Sequence, residues 1–302
     1  MAAATSPARR PRFRQRHRLA LTGLLFTVPS LVLFLAFVAA PVLFALYITF
    51  NNWSTMRPPA WVGLENFQRI LSDELFLRSL RNTTVYTVLY VPIVTATALL
   101  GAVMANRRLR GQYLFKALIF VPVITSAIVV GVVWFYIYNP EFGVLNALLL
   151  FLGLPPGLWL GSQSMALPAL VAVSIWQRFG WFTVLLLAGL QDIPGELKEA
   201  GAIDGASPWQ SFLRITLPLL RPTLALVTVL GAISAFQVFD LVFVMTDGGP
   251  AYATHTLSYY VYVQAFRSFK MGYAAAMSYV LFAIIFLLTL IQLRVLRPAA
   301  DY

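Results

Sequence analysis

The chain has 302 residues, 60% of them hydrophobic and 11% charged, with a formal net charge of +11. Soluble globular proteins carry about 25% charged residues, so this composition excludes a soluble fold of ordinary surface. Cysteine is absent, which excludes disulfides, thiolate metal sites and cysteine nucleophiles.

The positive charge lies between apolar runs. Arg9, Arg10, Arg12, Arg14, Arg16 and Arg18 precede the first run, and Arg107, Arg108, Arg110 and Lys116 separate two others. Contact with anionic membrane lipids accounts for this pattern, and binding to nucleic acid does not.

A bilayer core of about 30 Å takes about 20 apolar residues in a helix. Uncharged runs of that length occur at Leu19–Phe50, Thr83–Met104, Ala117–Tyr138 and Met271–Leu293. Met165–Leu190, with Arg178, and Thr223–Thr246, with Asp240, complete a set of six. Phe142–Leu152 is too short to cross and reads as an interfacial or surface helix. The predicted fold class is an all-α membrane protein of about six transmembrane helices.

With the amino terminus inside, inner segments hold fifteen basic residues and outer segments six. The positive-inside rule then predicts a multi-pass membrane protein with both termini cytoplasmic. The first run is too long for a cleavable signal peptide and five spans follow it. The expected organisation is a disordered basic tail at 1–18, a single six-helix domain at 19–293 and a short cytoplasmic end at 294–302.

No catalytic constellation is legible, and no metal site is expected. The two histidines are His17, in the tail, and His255, in a predicted outer loop. No phosphate-binding Gly-x-x-x-x-Gly-Lys-Ser/Thr loop is present, so ATP hydrolysis by that route is excluded. Asp240 is the one acid inside a predicted span, which weighs against a proton relay. The sequon Asn82-Thr83-Thr84 is discounted, because three-residue matches are common by chance.

The loop Gln191–Pro222, between spans four and five, has helical grammar of its own. Asp192 and Pro194 start one helix, Gly205 interrupts it, and Ser207-Pro208-Trp209-Gln210 opens a second through a capping box. Trp209, Phe212, Leu213 and Leu217 fall on one face of the second helix, and Leu217-Pro218 is expected to end it. Two short helices with a glycine elbow and an apolar stripe form a docking surface for a soluble partner.

Glu199-Ala200-Gly201, then Gly205, then Ile215-Thr216-Leu217-Pro218, resembles the EAA signature of permease subunits of bacterial binding-protein-dependent ABC importers. The spacing agrees throughout, and Gly201 departs from the usual alanine. The string through Asp204 and Ala206 is similar to the carbohydrate-importer version. Trp61–Phe67, Phe239-Asp240 and Thr246–Pro250 resemble flanking phrases of the maltose- and glycerol-phosphate-type first permease subunits.

The resemblance implies a pathway for a sugar, oligosaccharide or glycerol-phosphate-type solute. It implies three partners besides membrane lipids: a second permease, an ABC ATPase dimer and an extracytoplasmic solute-binding protein. The chain itself would hold no cofactor and catalyse no bond chemistry, ATP and magnesium being bound by the ATPase. Glu199, with Ala200, Gly201 and Asp204 around it, is implied to meet the ATPase, with Gly205 as elbow. Ile215, Leu217 and Pro218 are implied to set the second helix against the membrane domain.

Trp176, Gln177, Arg178, Gln237 and Asp240 are the candidates for a polar path through the bundle. Arg178 and Asp240 could equally form a structural pair, and the glutamines could serve interhelical bonding. The rival readings are an ion-coupled secondary transporter, an intramembrane enzyme and an assembly protein without a pathway.

Overall fold

The computed structural model describes residues 13–54, 57–106 and 111–295. The chain opens with α1 (Phe13–Phe34), which passes through a π-helical turn at Leu35–Ala39 into α2 (Ala40–Thr49). Helix α1 thus begins inside the segment expected to be tail, the rest of which lies outside the described residues. A short antiparallel hairpin follows, β1 (Asn51–Ser54) with β2 (Arg57–Trp61), and then α3 (Glu65–Ser72). The long span α4 (Glu74–Asn106) comes next.

The third predicted span is broken. Helices α5 (Gln112–Ile124) and α6 (Ala127–Ile137) meet at 99° across Thr125-Ser126. Pro122, which lacks a backbone N–H, weakens the last turn of α5 just before the break. Helix α7 (Val144–Phe151), with eight residues, is too short to cross. Helix α8 (Ala166–Gln191) is continuous and parallel to α4, with Arg78 and Asn82 at the same end as Gln163.

The loop contributes α9 (Gly195–Ile203), α10 (Pro208–Ser211) and α11 (Leu217–Leu219), the last two joined by a π-helical turn at Phe212–Thr216. Helix α12 (Arg221–Phe236) follows at a 66° bend. The fifth predicted span, Thr223–Thr246, is also broken: α12 stops at Phe236, and α13 (Asp240–Met245) starts after an unwound Gln237–Phe239. Helix α14 (Leu257–Tyr262) and a π-turn lead to the last span, α15 (Met271–Val295). Among the described residues four helices are long and apolar enough to cross, and up to six spans result if each bent pair counts once.

The second loop helix ends at Leu219, one residue past Pro218, where the expected stop falls, and the chain bends at Leu220. The five-residue π-turn Phe212–Thr216 precedes Pro218, and the Leu217 amide bonds the Phe212 carbonyl. Pro41 has the same arrangement, with π-turn Leu35–Ala39 before it and the Ala40 amide bonded to Leu35. The wider i→i+5 turn relieves the clash between a proline ring and the preceding turn, so each proline is accommodated within the helix.

The core lies where α4, α8 and α12 cross. Tyr86, Val94 and Ala98 of α4 pack with Leu170, Val173 and Leu186 of α8 and Val227 of α12. Small residues let the backbones approach: a side chain at Gly180 would run into the Ile119 carbonyl of α5. The first span is almost unburied, with Phe26 83% and Phe37 75% exposed. Its main packing on the body is between α2 and α15, where the Tyr279 hydroxyl of α15 donates to the Val42 carbonyl.

Polar bonds knit the end of the bundle that carries the hairpin. Asn66 Nδ2 donates to the carbonyls of Thr49 and Asn51, fixing α3 to the hairpin. Asp73 caps α4 through the amides of Leu75 and Phe76 and accepts 2.6 Å bonds from the hydroxyls of Tyr260 and Tyr273. Burial raises the Asp73 pKa, but these four donors outweigh it and hold the carboxyl below its ordinary value. Asp247 takes two guanidinium bonds from Arg267 and one from the Tyr259 hydroxyl, which also lower its pKa.

Candidate functional site: a cleft at two broken spans and an exposed loop

The two broken spans meet. Helix α13 packs on α6, with Val244 and Leu241 closing over Gly131. Beside that contact opens a cleft lined by Tyr86 and Tyr90 of α4, Ser174, Gln177 and Arg178 of α8, Ser234 of α12, and the unwound segment through Asp240. Non-helical backbone at membrane depth is tolerated where it is buried in protein or lines a polar cavity. The unwound Gln237–Phe239 lines the cleft, and Ala127, just past the α5–α6 break, lies at its edge.

Each polar group is placed by helical spacing. Ser174, Gln177 and Arg178 stand at i, i+3 and i+4 on one face of α8. Gln177 is buried, and its Nε2 donates at 3.4 Å to the Thr125 carbonyl exposed by the α5–α6 break. The Tyr86 hydroxyl donates to Ser174 Oγ at 2.5 Å, and its ring stacks on Tyr90 at 5.7 Å and 17°. Asp240 sits in the first turn of α13, where the helix dipole favours a carboxylate.

Four of the five predicted path residues line this cleft: Gln177, Arg178, Gln237 and Asp240. Arg178 and Asp240 share it without forming an ion pair. Trp176 does not line it; one step round the helix, its ring meets Trp134 edge-on at 5.5 Å. Tyr86, Tyr90, Ser174 and Ser234 were missed. The signal for the tyrosines was their i, i+4 spacing in an otherwise apolar run, and for Ser174 its register with Gln177 and Arg178. The cleft measures about 80 Å³, well below the ~300–1,000 Å³ of a complete small-molecule site.

The loop sits at the other end of the bundle. The Ala206 amide bonds the Gly201 carbonyl at 2.9 Å and the Gly205 amide bonds Ala202 at 3.1 Å, the paired bonds of a Schellman helix end. Gly205 has φ +82°, a left-handed conformation that glycine adopts without steric cost. The capping box forms as expected: Gln210 N–H donates to Ser207 Oγ, and the Ser207 amide donates to Gln210 Oε1.

Glu199, Ala200 and Asp204 are exposed, and Gly201 is buried against Ile215. The apolar tips Ile203 and Trp209 are 87% and 67% exposed, with Trp209 stacked on Phe212. Thr216 and Leu220 are the buried residues at the join with α12; Leu217 and Pro218 are half-buried. The loop therefore presents an acid, apolar tips and a rigid elbow.

Residues 97–299 match the family model described as binding-protein-dependent transport system inner membrane component. The chain belongs to that family. It is a membrane-spanning subunit of such a transport system, and two of its relatives align almost end to end. The trehalose/maltose transport system permease protein MalF of Thermococcus litoralis is 35% identical, with 95% of this chain and 97% of that protein covered. The sn-glycerol-3-phosphate transport system permease protein UgpA of Agrobacterium fabrum is 36% identical, covering 92% and 95%. A bacterial ABC transporter involved in the import of the acidic polysaccharide alginate shares the fold, with TM-score 0.83, 23% identity and coverage of 95% and 100%.

Proposed function

We propose that the subunit forms half of the pathway of an ATP-driven importer for a sugar, oligosaccharide or glycerol-phosphate-type solute. In this reading the cleft is its share of the solute path and the loop is its contact with a separate ATPase. One observation carries the proposal: α12 links the two sites. Its first residue follows the loop helices by a single bend at Leu220, and its last turn unwinds into the cleft at Gln237. A displacement of the loop would be delivered along one 16-residue helix to the backbone that lines the cleft.

Glu199 and Asp204 supply charge to the ATPase contact, Ala200, Ile203 and Trp209 apolar surface, and Gly201 and Gly205 the shape. ATP and magnesium belong to the ATPase, and this chain supplies no hydrolytic group. The small volume of the cleft supports a second permease that completes the site. The exposed polar pair Arg178 and Asp240, with Gln237 and the stacked tyrosines, suits a hydroxyl-rich solute. Relatives named for disaccharide and glycerol-phosphate transport support the solute class. Delivery by an extracytoplasmic solute-binding protein and cytoplasmic placement of both termini complete the reading.

The test is a mild-detergent pull-down of the tagged chain from its native membrane, comparing wild type with Glu199→Arg. An ATPase and a second permease are expected with wild type, and the ATPase is expected to be depleted with the variant. Recovery of the chain alone, unaffected by the variant, would overturn the coupling role in favour of a secondary transporter.

A further inference from the structure

At the hairpin end of the bundle a second groove, of about 500 Å³, runs between α4 and the start of α8. It shares no residue with the cleft at the broken spans. One wall is a single stripe of α4: Arg78, Arg81, Val85 and Leu89, separated by three or four residues and therefore on one helical face. The stripe descends about 16 Å along the helix and changes from two cations to two hydrocarbons. The facing wall changes in the same order, from Gln163 to Leu167.

That change is aligned with the membrane. The uncharged run of α4 begins at Thr83 and α8 begins at Ala166, so both walls turn apolar at the level where headgroups give way to hydrocarbon. Arg78 and Arg81 are exposed, and among the described residues neither is paired with a carboxylate. Arg78 lies over the ring of Tyr252, at 5.8 Å. Two unpaired cations over an apolar trough match an amphiphile with an anionic head.

We propose that this groove binds one anionic phospholipid, its phosphate between Arg78 and Arg81 and one acyl chain along Val85, Leu89 and Leu167. A free phosphate would leave the apolar trough uncovered, and an acidic protein surface would not reach below the headgroups. The proposal does not rest on the solute or on the ATPase contact.

The test uses the full chain, stripped of lipid in neutral detergent. It is titrated with dioleoyl phosphatidylglycerol, with the phosphatidylcholine of the same chains, and with inorganic phosphate. Binding is read as a rise in unfolding temperature and as lipid retained through repeated detergent washes. Phosphatidylglycerol is expected to stay at about one per chain and phosphatidylcholine to wash out. Arg78→Gln with Arg81→Gln should weaken retention about 25-fold, each arginine near a membrane surface contributing about fivefold. Val85→Asn should weaken it through the chain wall, while Lys270→Gln, an exposed cation at the same end, should leave it unchanged.

The pair Arg78→Lys and Arg81→Lys keeps the charge and should keep the lipid, which separates lost charge from misfolding. Equal retention of both lipids, or retention indifferent to the double glutamine variant, would overturn the proposal. So would a thermal shift reproduced by inorganic phosphate alone. An oligomer that the glutamine variant dissolves, with lipid unaffected, would assign the groove to a second copy of the chain.

Discussion

Gly201 and Ile215 close the loop elbow on each other: a Cβ at Gly201 would lie 2.5 Å from the Ile215 Cδ1 methyl. The glycine that departs from the family's usual alanine is therefore matched to the isoleucine fourteen positions later. Gly201→Ala should gain about 1 kcal/mol of helix propensity and lose a similar amount in displacing the methyl. Its net effect on thermal unfolding should fall within about 1 kcal/mol. Combined with Ile215→Val, which removes that methyl, the alanine should become stabilising, so the two substitutions will not be additive. Strict additivity would show that the contact is not felt.

Asp73 ties three elements together through one carboxylate. Asp73→Ala removes the cap of α4 and strands the hydroxyls of Tyr260 and Tyr273. The expected cost is about 2–4 kcal/mol in unfolding free energy, combining a lost cap with lost bonds to a charged acceptor. Tyr260→Phe and Tyr273→Phe should each cost less than half of that. A loss below about 1 kcal/mol for Asp73→Ala would mean that the clamp is not strained by its removal.

His255 gives the hairpin end a pH dependence. The ring is 4% exposed, lies 2.9 Å from Ser79 Oγ and is packed edge-on against Tyr259 and Tyr260. Burial pushes its pKa down from 6.5 to about 4; nearby Asp247 opposes that shift and Arg78 adds to it. The folded protein therefore holds the ring neutral where the unfolded chain binds a proton. Stability is fully present above about pH 6.5 and is lost progressively as pH falls towards 4. His255→Gln should flatten the thermal-unfolding profile in that window; an unchanged slope would place the titrating group elsewhere.

The cleft and the loop should separate in function. Arg178→Ala and Asp240→Asn are expected to lower solute uptake by tenfold or more while leaving recovery of the ATPase unchanged. Glu199→Arg should lower both. Arg178 and Asp240 variants that transport at the wild-type rate would remove those residues from the solute path.

Much of this molecule was determined by the sequence alone, wherever the physics is local. Six apolar runs specify the spans because burying backbone in lipid requires about 20 consecutive residues in a helix. The capping box at Ser207 and Gln210 and the elbow at Gly205 are legible because their bonds join residues within a few positions. The tertiary structure decided direction and partnership. Hydropathy counts length and is blind to a bend, so the breaks at Thr125-Ser126 and Gln237–Phe239 were hidden in runs read as continuous. The end of the second loop helix is legible at Pro218 to within one residue, but the π-turn that precedes the proline has no sequence signal of its own. Tyr86 meets Ser174 across 88 positions, and Asp73 meets Tyr273 across 200. Such pairs are set by which helix faces are buried together, a property of the whole packed bundle.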